Sequence, residues 1–209
     1  MKSQQAARFY LGHQHTAWSV CIRELSILRR SNMPIIQTVA SDQASGKVAE
    51  IYRQIEQAFG HVPNALQMYS SSPAMLEQQW QSIGYYKNHP ALSFPLLTMV
   101  RMLVSQENLC EYCVGFNAAM LINMCGLTPE QVALTKRDPE QAPLNDKDKA
   151  MLLLVLKAVS TPNAVSADDL QKLRSLGWSD SDMLDAVSHG ARNMAVDIIF
   201  NTFKIENDF

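Results

Sequence analysis

Cys110-Glu111-Tyr112-Cys113 places two thiols three residues apart. On one helical turn that spacing lets two sulfurs close and reopen a small disulfide. Asn108 precedes them in the position of a helix N-cap, and Glu111 follows three residues on, the spacing of a capping box. With Asn108 as cap, Cys110 is expected at the second helical position and Cys113 one turn further in. The positive end of the helix dipole then favours the thiolate, more for Cys110 than for Cys113. Glu107 and Glu111 are acidic neighbours that oppose the effect.

A C-x-x-C is also half of a zinc site, but structural zinc needs four ligands. No second pair is written, and His13 and His15 stand two apart near the start of the chain, so no metal is expected. Two buried cysteines serving as small hydrophobes is the other alternative. Cys21 and Cys125 stand alone. Cys125 lies twelve residues beyond Cys113, about 18 Å along a continuous helix and out of reach of the pair. His61, in Gly60-His61-Val62-Pro63-Asn64, and His189, beside Gly190, are lone histidines, more commonly structural than catalytic.

The elements that must position the thiols are legible from caps and apolar spacing. Val48, Ile51, Tyr52, Ile55, Ala58 and Phe59 follow the i, i+3, i+4, i+7 pattern, and Gly60 is placed to end that helix. Ser72-Pro73 opens a helix to about Lys87, and Ser93 with Pro95 opens the next. The C-x-x-C helix runs to Gly126. Thr128-Pro129-Glu130-Gln131 is a further box, and Asn145, Ser166 and Ser179 start three more helices. The last is long, with Leu184, Val187, Ala191, Met194, Ile198 and Phe203 along its apolar face. Ile35 to Val39 is a short extended piece without a partner strand. The fold class is all-α. Helices 95–105 and 150–159 are apolar over more than half their circumference, which predicts a homo-oligomer whose subunits cover part of the surplus.

The 209 residues carry a net charge of −2, with 47% hydrophobic and 18% charged residues. That size supports a globular core, and the charge gives no basic face for nucleic acid. No apolar run is long enough to span a membrane. Residues 1–32 form a basic N-terminal extension, carrying Lys2, Arg8, Arg23, Arg29 and Arg30 against Glu24 alone. It has no apolar h-region, so a signal peptide is not expected. The reading is an extension of little consequence ahead of a working domain of residues 33–209. One dithiol and no disulfide framework fit a reducing, cytoplasmic setting.

The stretch Leu96 to Asn117, with Leu103-Val104-Ser105 and then Asn108-Leu109-Cys110-Glu111-Tyr112-Cys113, resembles the carboxymuconolactone decarboxylase superfamily, and within it the AhpD-like, alkylhydroperoxidase-related branch. The turn Phe59 to Asn64, followed by Ser72-Pro73 and Leu76, is similar to the segment that precedes the motif there. The resemblance covers roughly residues 44–209. It implies an oligomeric AhpD-like helical domain whose cysteines reduce a small peroxide, or exchange disulfides with a protein or low-molecular-weight thiol reductant, without a cofactor. It also implies a proton relay, a glutamate twelve residues before the first cysteine and a histidine four after the second. Those positions are Thr98 and Asn117 here. Neither titrates near neutral pH, so neither can act as the general base, a role worth typically 10²–10⁴-fold. Glu107 and His189 are the candidate substitutes.

Three functions are therefore carried forward. The first is a thiol-disulfide oxidoreductase with peroxidase activity through Cys110 and Cys113. The second is a non-catalytic or redox-sensing helical oligomer. The third is a decarboxylase or hydrolase of small lactones, ranked last because no His/Arg constellation that would polarise a lactone is visible in the sequence.

Overall fold

The structure is a computed structural model in which residues 35–208 are described. The basic extension 1–32, with His13, His15 and Cys21, and the start at Met33 lie outside them. The described residues hold nine α-helices and no strand: α1 Gly46–Phe59, α2 Asn64–Gln67, α3 Pro73–Lys87, α4 Phe94–Glu107, α5 Glu111–Asn123, α6 Pro129–Arg137, α7 Asp146–Ser160, α8 Ala167–Ser175 and α9 Asp180–Phe203. None of these helices is long and apolar enough to cross a membrane.

The starts and stops follow the local chemistry. Ser93 Oγ accepts from the Leu96 N–H, and Thr128 with Gln131, Ser166 with Asp169 and Ser179 with Asp182 each form a reciprocal capping box. Asn145 caps α7 through its side chain. Gly60 ends α1 at φ 81°, in the left-handed region that a glycine adopts without strain. The segment Ile35–Val39 makes no sheet. The Val39 N–H donates to Ser70 Oγ at 2.7 Å and its carbonyl accepts from the Tyr52 hydroxyl at 2.8 Å.

Two apolar clusters share α9 as their common wall. One joins α4, α7 and the first half of α9 around Leu96, Met99, Leu103, Met151, Leu152, Val155 and Ala186. The other joins α1, the segment 64–71 and the end of α9 around Ile51, Ile55, Leu66, Tyr69 and Phe200, and it encloses Cys110 and Cys113. Helices α4 and α7, apolar over more than half their circumference, thus bury much of that apolar surface within this chain. Gly190 lets α9 approach α7 closely, since a Cβ there would meet Val155 Cγ1 at 2.6 Å.

Three expectations are corrected. Asn108 does not cap the dithiol helix. It is the C-cap of α4, Leu109 follows at φ 55°, and α5 begins at Glu111 with Cys110 as its N-cap residue. The Cys110 N–H returns to the Ser105 carbonyl at 2.9 Å and the Leu109 N–H to Gln106 at 3.2 Å. This is a Schellman turn with leucine where glycine is usual, so nothing in the residue types announced that α4 ended there. The same helix α5 stops at Asn123, short of Gly126. Finally, the buried face of α9 is not the apolar stripe. Leu184 and Ile198 are 68% and 63% exposed, whereas Met183, Ala186, His189, Gly190, Asn193, Asp197 and Phe200 face inward. Three polar residues at successive turns occupy that inner face, which a count of apolar residues alone passes over.

Candidate functional site

The turn between α4 and α5 sets the thiols. Because Cys110 closes one helix and opens the next, both sulfurs sit in the first turn of α5, Cys113 as its third residue. The Cys110 Sγ–H donates to Cys113 Sγ at 2.8 Å, both thiols are free, and they are only 1% and 5% exposed. Val114 N–H closes the first intrahelical bond onto the Cys110 carbonyl at 3.0 Å.

A third chemical group comes from the last helix. The Asp197 carboxylate, fully buried, and the two sulfurs have their donor atoms within 4.8 Å of one another. Asp197 Oδ1 accepts from the Ser105 hydroxyl at 2.8 Å, and Oδ2 accepts from the side-chain amides of Asn108 and Asn193 at 3.1 Å each. Asn193 also donates to Ser105 Oγ at 2.8 Å and to the Arg101 carbonyl at 3.3 Å. The sequence signal was the spacing His189, Asn193, Asp197, polar residues one turn apart on a helix that must be buried somewhere.

Burial reverses the expectation from the dipole. The Cys113 thiol is pushed up by its hydrogen bond with Cys110, by removal from water and by the charges of Cys110 and Asp197. A helix terminus contributes about 0.3–1 kcal/mol at exposed sites, less than desolvation and a nearby carboxylate together. Asp197 is itself raised by burial, against the hydrogen bonds of Ser105, Asn108 and the thiols, which favour the anion. Both groups are thereby shifted in the same direction, each toward holding its proton.

Thr98 and Asn117 do not address the sulfurs. Asn117 donates its amide to the Cys113 carbonyl at 2.8 Å and accepts from Arg101 Nε at 2.7 Å. The Thr98 hydroxyl accepts from Arg101 Nη2 at 3.0 Å and donates to the Phe94 carbonyl at 2.8 Å. One guanidinium therefore holds both positions. Burial pushes Arg101 down to about 10, which leaves it charged at neutral pH. Its Nη1 lies 3.4 Å from His189 Nε2, a ring pushed down to about 3 by burial and by the Arg101 charge. A His/Arg pair thus exists, contrary to the sequence expectation. It is assembled across α4 and α9, with the histidine against the Tyr86 ring at 4.3 Å between centroids. Glu107 and His61 are exposed. Cys125, half-buried and free, packs on the larger apolar cluster.

Tyr112, between the two cysteines in the chain, gathers aromatic rings and the C-terminal tail around it. Tyr112 stacks on Phe116 at 6.1 Å and meets Phe200 edge-on at 5.8 Å. Its hydroxyl donates to Asp208 Oδ1 at 3.0 Å, while Asp208 Oδ2 accepts from the Asn64 N–H at 2.5 Å. Cys110, Cys113 and Asp197 are chemically able to ligate a cation, but both carboxylate oxygens already accept hydrogen bonds. The arrangement suits proton transfer to and from a dithiol.

No protein-family profile and no curated protein sequence matches the chain. Solved structures do. One is the alkylhydroperoxidase AhpD core of an uncharacterized peroxidase-related protein from Ralstonia eutropha, with 21% identity over 85% of this chain and 92% of that chain at a TM-score of 0.69. A peroxidase-related protein from Silicibacter has 20% identity over 84% and 92%, with a TM-score of 0.73. The debrominase Bmp8 has 13% identity over 82% and 90%, with a TM-score of 0.66. The chain has the AhpD-like helical fold.

Proposed function

We propose that this protein is a thiol-disulfide oxidoreductase of peroxidase type working through Cys110 and Cys113. The observation that carries the reading is the pair of free, buried sulfurs 2.8 Å apart at the start of α5, beside a carboxylate. The likeness to peroxidase-related structures supports it. One thiol attacks the peroxide, the O–O bond breaks, and an alcohol or water leaves a sulfenic acid on sulfur. The second thiol displaces that hydroxyl as water and closes the disulfide. An external protein or small thiol then returns the two electrons. We further propose that the working unit is a homo-oligomer in a reducing compartment.

The likeness to a debrominase favours a second electron acceptor for the same pair, a small brominated ring. Purified protein incubated with hydrogen peroxide, cumene hydroperoxide or tribromopyrrole, followed by thiol counting and mass spectrometry, tests both readings. The peroxidase reading expects loss of two thiols and a Cys110–Cys113 disulfide with a peroxide. Four free thiols after every oxidant would overturn the redox function and leave a structural role for the pair.

A further inference from the structure

We propose that Asp197 is the catalytic proton acceptor of the Cys110/Cys113 pair, a carboxylate delivered by α9 in place of a relay on α4 and α5. The inference rests on the redox reading above and names the base that reading requires.

The geometry carries it. Among the described residues, its carboxylate is the acidic group whose oxygen lies with both sulfurs inside 4.8 Å. It is fully buried and is held by three hydrogen bonds from Ser105, Asn108 and Asn193, with no ion pair to a cation among the described residues. A buried carboxylate without a cation opposes folding, and packing alone is served better by an apolar residue. Its donors are neutral, so they aim it without neutralising it. The relay positions meanwhile offer no base, because the Thr98 hydroxyl and the Asn117 amide do not titrate near neutral pH, and both are tied to Arg101.

The groups facing this site come from four directions. Ser105 and Asn108 reach it from α4 and its C-cap, Asn193 from its own helix, and the two thiols from the start of α5. Tyr69, in the 68–71 turn, feels the charges of Cys113, Arg192 and Asp197 and is itself pushed up to about 12, chiefly by burial. The Arg101 charge also interacts with Cys113. The two thiols share a hydrogen bond at 2.8 Å, so the proton is assigned to the pair and not to one sulfur.

Asp197 takes the S–H proton as sulfur attacks a peroxide oxygen. The O–O bond breaks, and the departing alkoxide takes that proton back, giving the alcohol and the sulfenic acid. In the second step the remaining S–H proton passes through Asp197 to the displaced hydroxyl, which leaves as water while the S–S bond forms. Asp197 ends each step ionised.

The experiment is single-turnover disulfide formation followed across pH in wild type, Asp197→Asn and Ser105→Ala, with thermal melting as a check of folding. Hydrogen peroxide and glutathione disulfide serve as separate oxidants. In wild type the rate rises through an acid limb set by Asp197 and then levels. Asp197→Asn is expected to lose about 10²–10⁴-fold near neutral pH and to rise in proportion to hydroxide without levelling. Ser105→Ala keeps the base but removes a donor that favours its charged form, so its acid limb moves to higher pH. It covers the case in which Asp197→Asn fails to fold. An Asp197→Asn protein that reacts as fast or faster near neutral pH, or an acid limb unmoved in Ser105→Ala, would overturn the assignment. Removing a merely repulsive charge speeds thiolate formation, the opposite sign. If peroxide fails in wild type while glutathione disulfide reacts, the peroxidase reading falls, and the pH profiles with glutathione disulfide still decide the role of Asp197.

Discussion

Two hydrogen-bonded sulfurs on one helical turn are a redox element only if they can exchange their protons, and here burial governs that exchange. The Cys113 thiol is held protonated by its partner, by desolvation and by Asp197, so the resting pair is expected to react slowly with alkylating reagents near neutral pH. Cys110→Ser and Cys113→Ser should each abolish the two-thiol loss on oxidation while leaving Cys125 countable, as read by mass spectrometry. Restoring a histidine at position 117 does not by itself rebuild a relay. Its ring would stand beside the Arg101 guanidinium that now bonds Asn117, which lowers imidazole basicity. Asn117→His is therefore expected to give no gain in peroxide consumption. Adding Thr98→Glu supplies a carboxylate for Arg101 and should recover part of it. A rise with Asn117→His alone would show that Arg101 does not control the site.

At the scale of elements, the α4–α5 junction does the positioning and carries the strain. Leu109 holds a left-handed backbone at φ 55° while its side chain is 81% exposed. A non-glycine residue there costs about 1–2 kcal/mol. Leu109→Gly is expected to raise stability by roughly 0.5–1 kcal/mol after the added chain entropy of glycine, read from the denaturant midpoint. Disulfide formation should be unchanged, because the turn hydrogen bonds are backbone. The α9–α7 contact predicts the reverse sign. A Cβ at position 190 has no room against Val155, so Gly190→Ala should destabilise by about 1–3 kcal/mol. The C-terminal tail is the third element, tying Tyr112 and Asn64 together through Asp208. Asp208→Ala should increase the rate of thiol alkylation, measured with iodoacetamide, with little change in melting temperature.

Across the whole molecule the polar face of α9 couples stability to pH. His189 has a folded pKa pushed down to about 3, against an ordinary 6.5. Between these values the unfolded chain binds the proton and the folded chain does not. Stability is therefore full above the ordinary value and falls as pH drops through that window. Asp197 acts with the opposite sign. Its folded pKa is raised, so the folded state takes up a proton first as pH falls, which offsets part of the loss. Melting temperature plotted against pH should therefore flatten in His189→Gln and steepen in Asp197→Asn. Parallel curves for all three proteins would show that neither group is buried in the form that the structure gives it.

How much of this was legible depended on how local each cause is. Caps such as Thr128-Gln131 and Ser179-Asp182, the glycine stop at Gly60 and the apolar stripe of α1 act over three to seven residues, so residue order alone determined most helices, the all-α class and the C-x-x-C. The end of α4 was not legible, because its turn uses leucine in a glycine conformation and is stabilised by backbone bonds that any sequence offers. The inner face of α9 was not legible either. It is chosen by what α4 and α5 present, a buried Ser105 hydroxyl, an Asn108 amide and two thiols, and not by the apolar count of α9 itself. The meeting of Asp197 with the cysteines, and of Arg101 with His189, joins residues about ninety positions apart. Chain order determined the thiols and the helices that carry them; only the packing of α9 across α4 decided which charge stands beside the sulfurs.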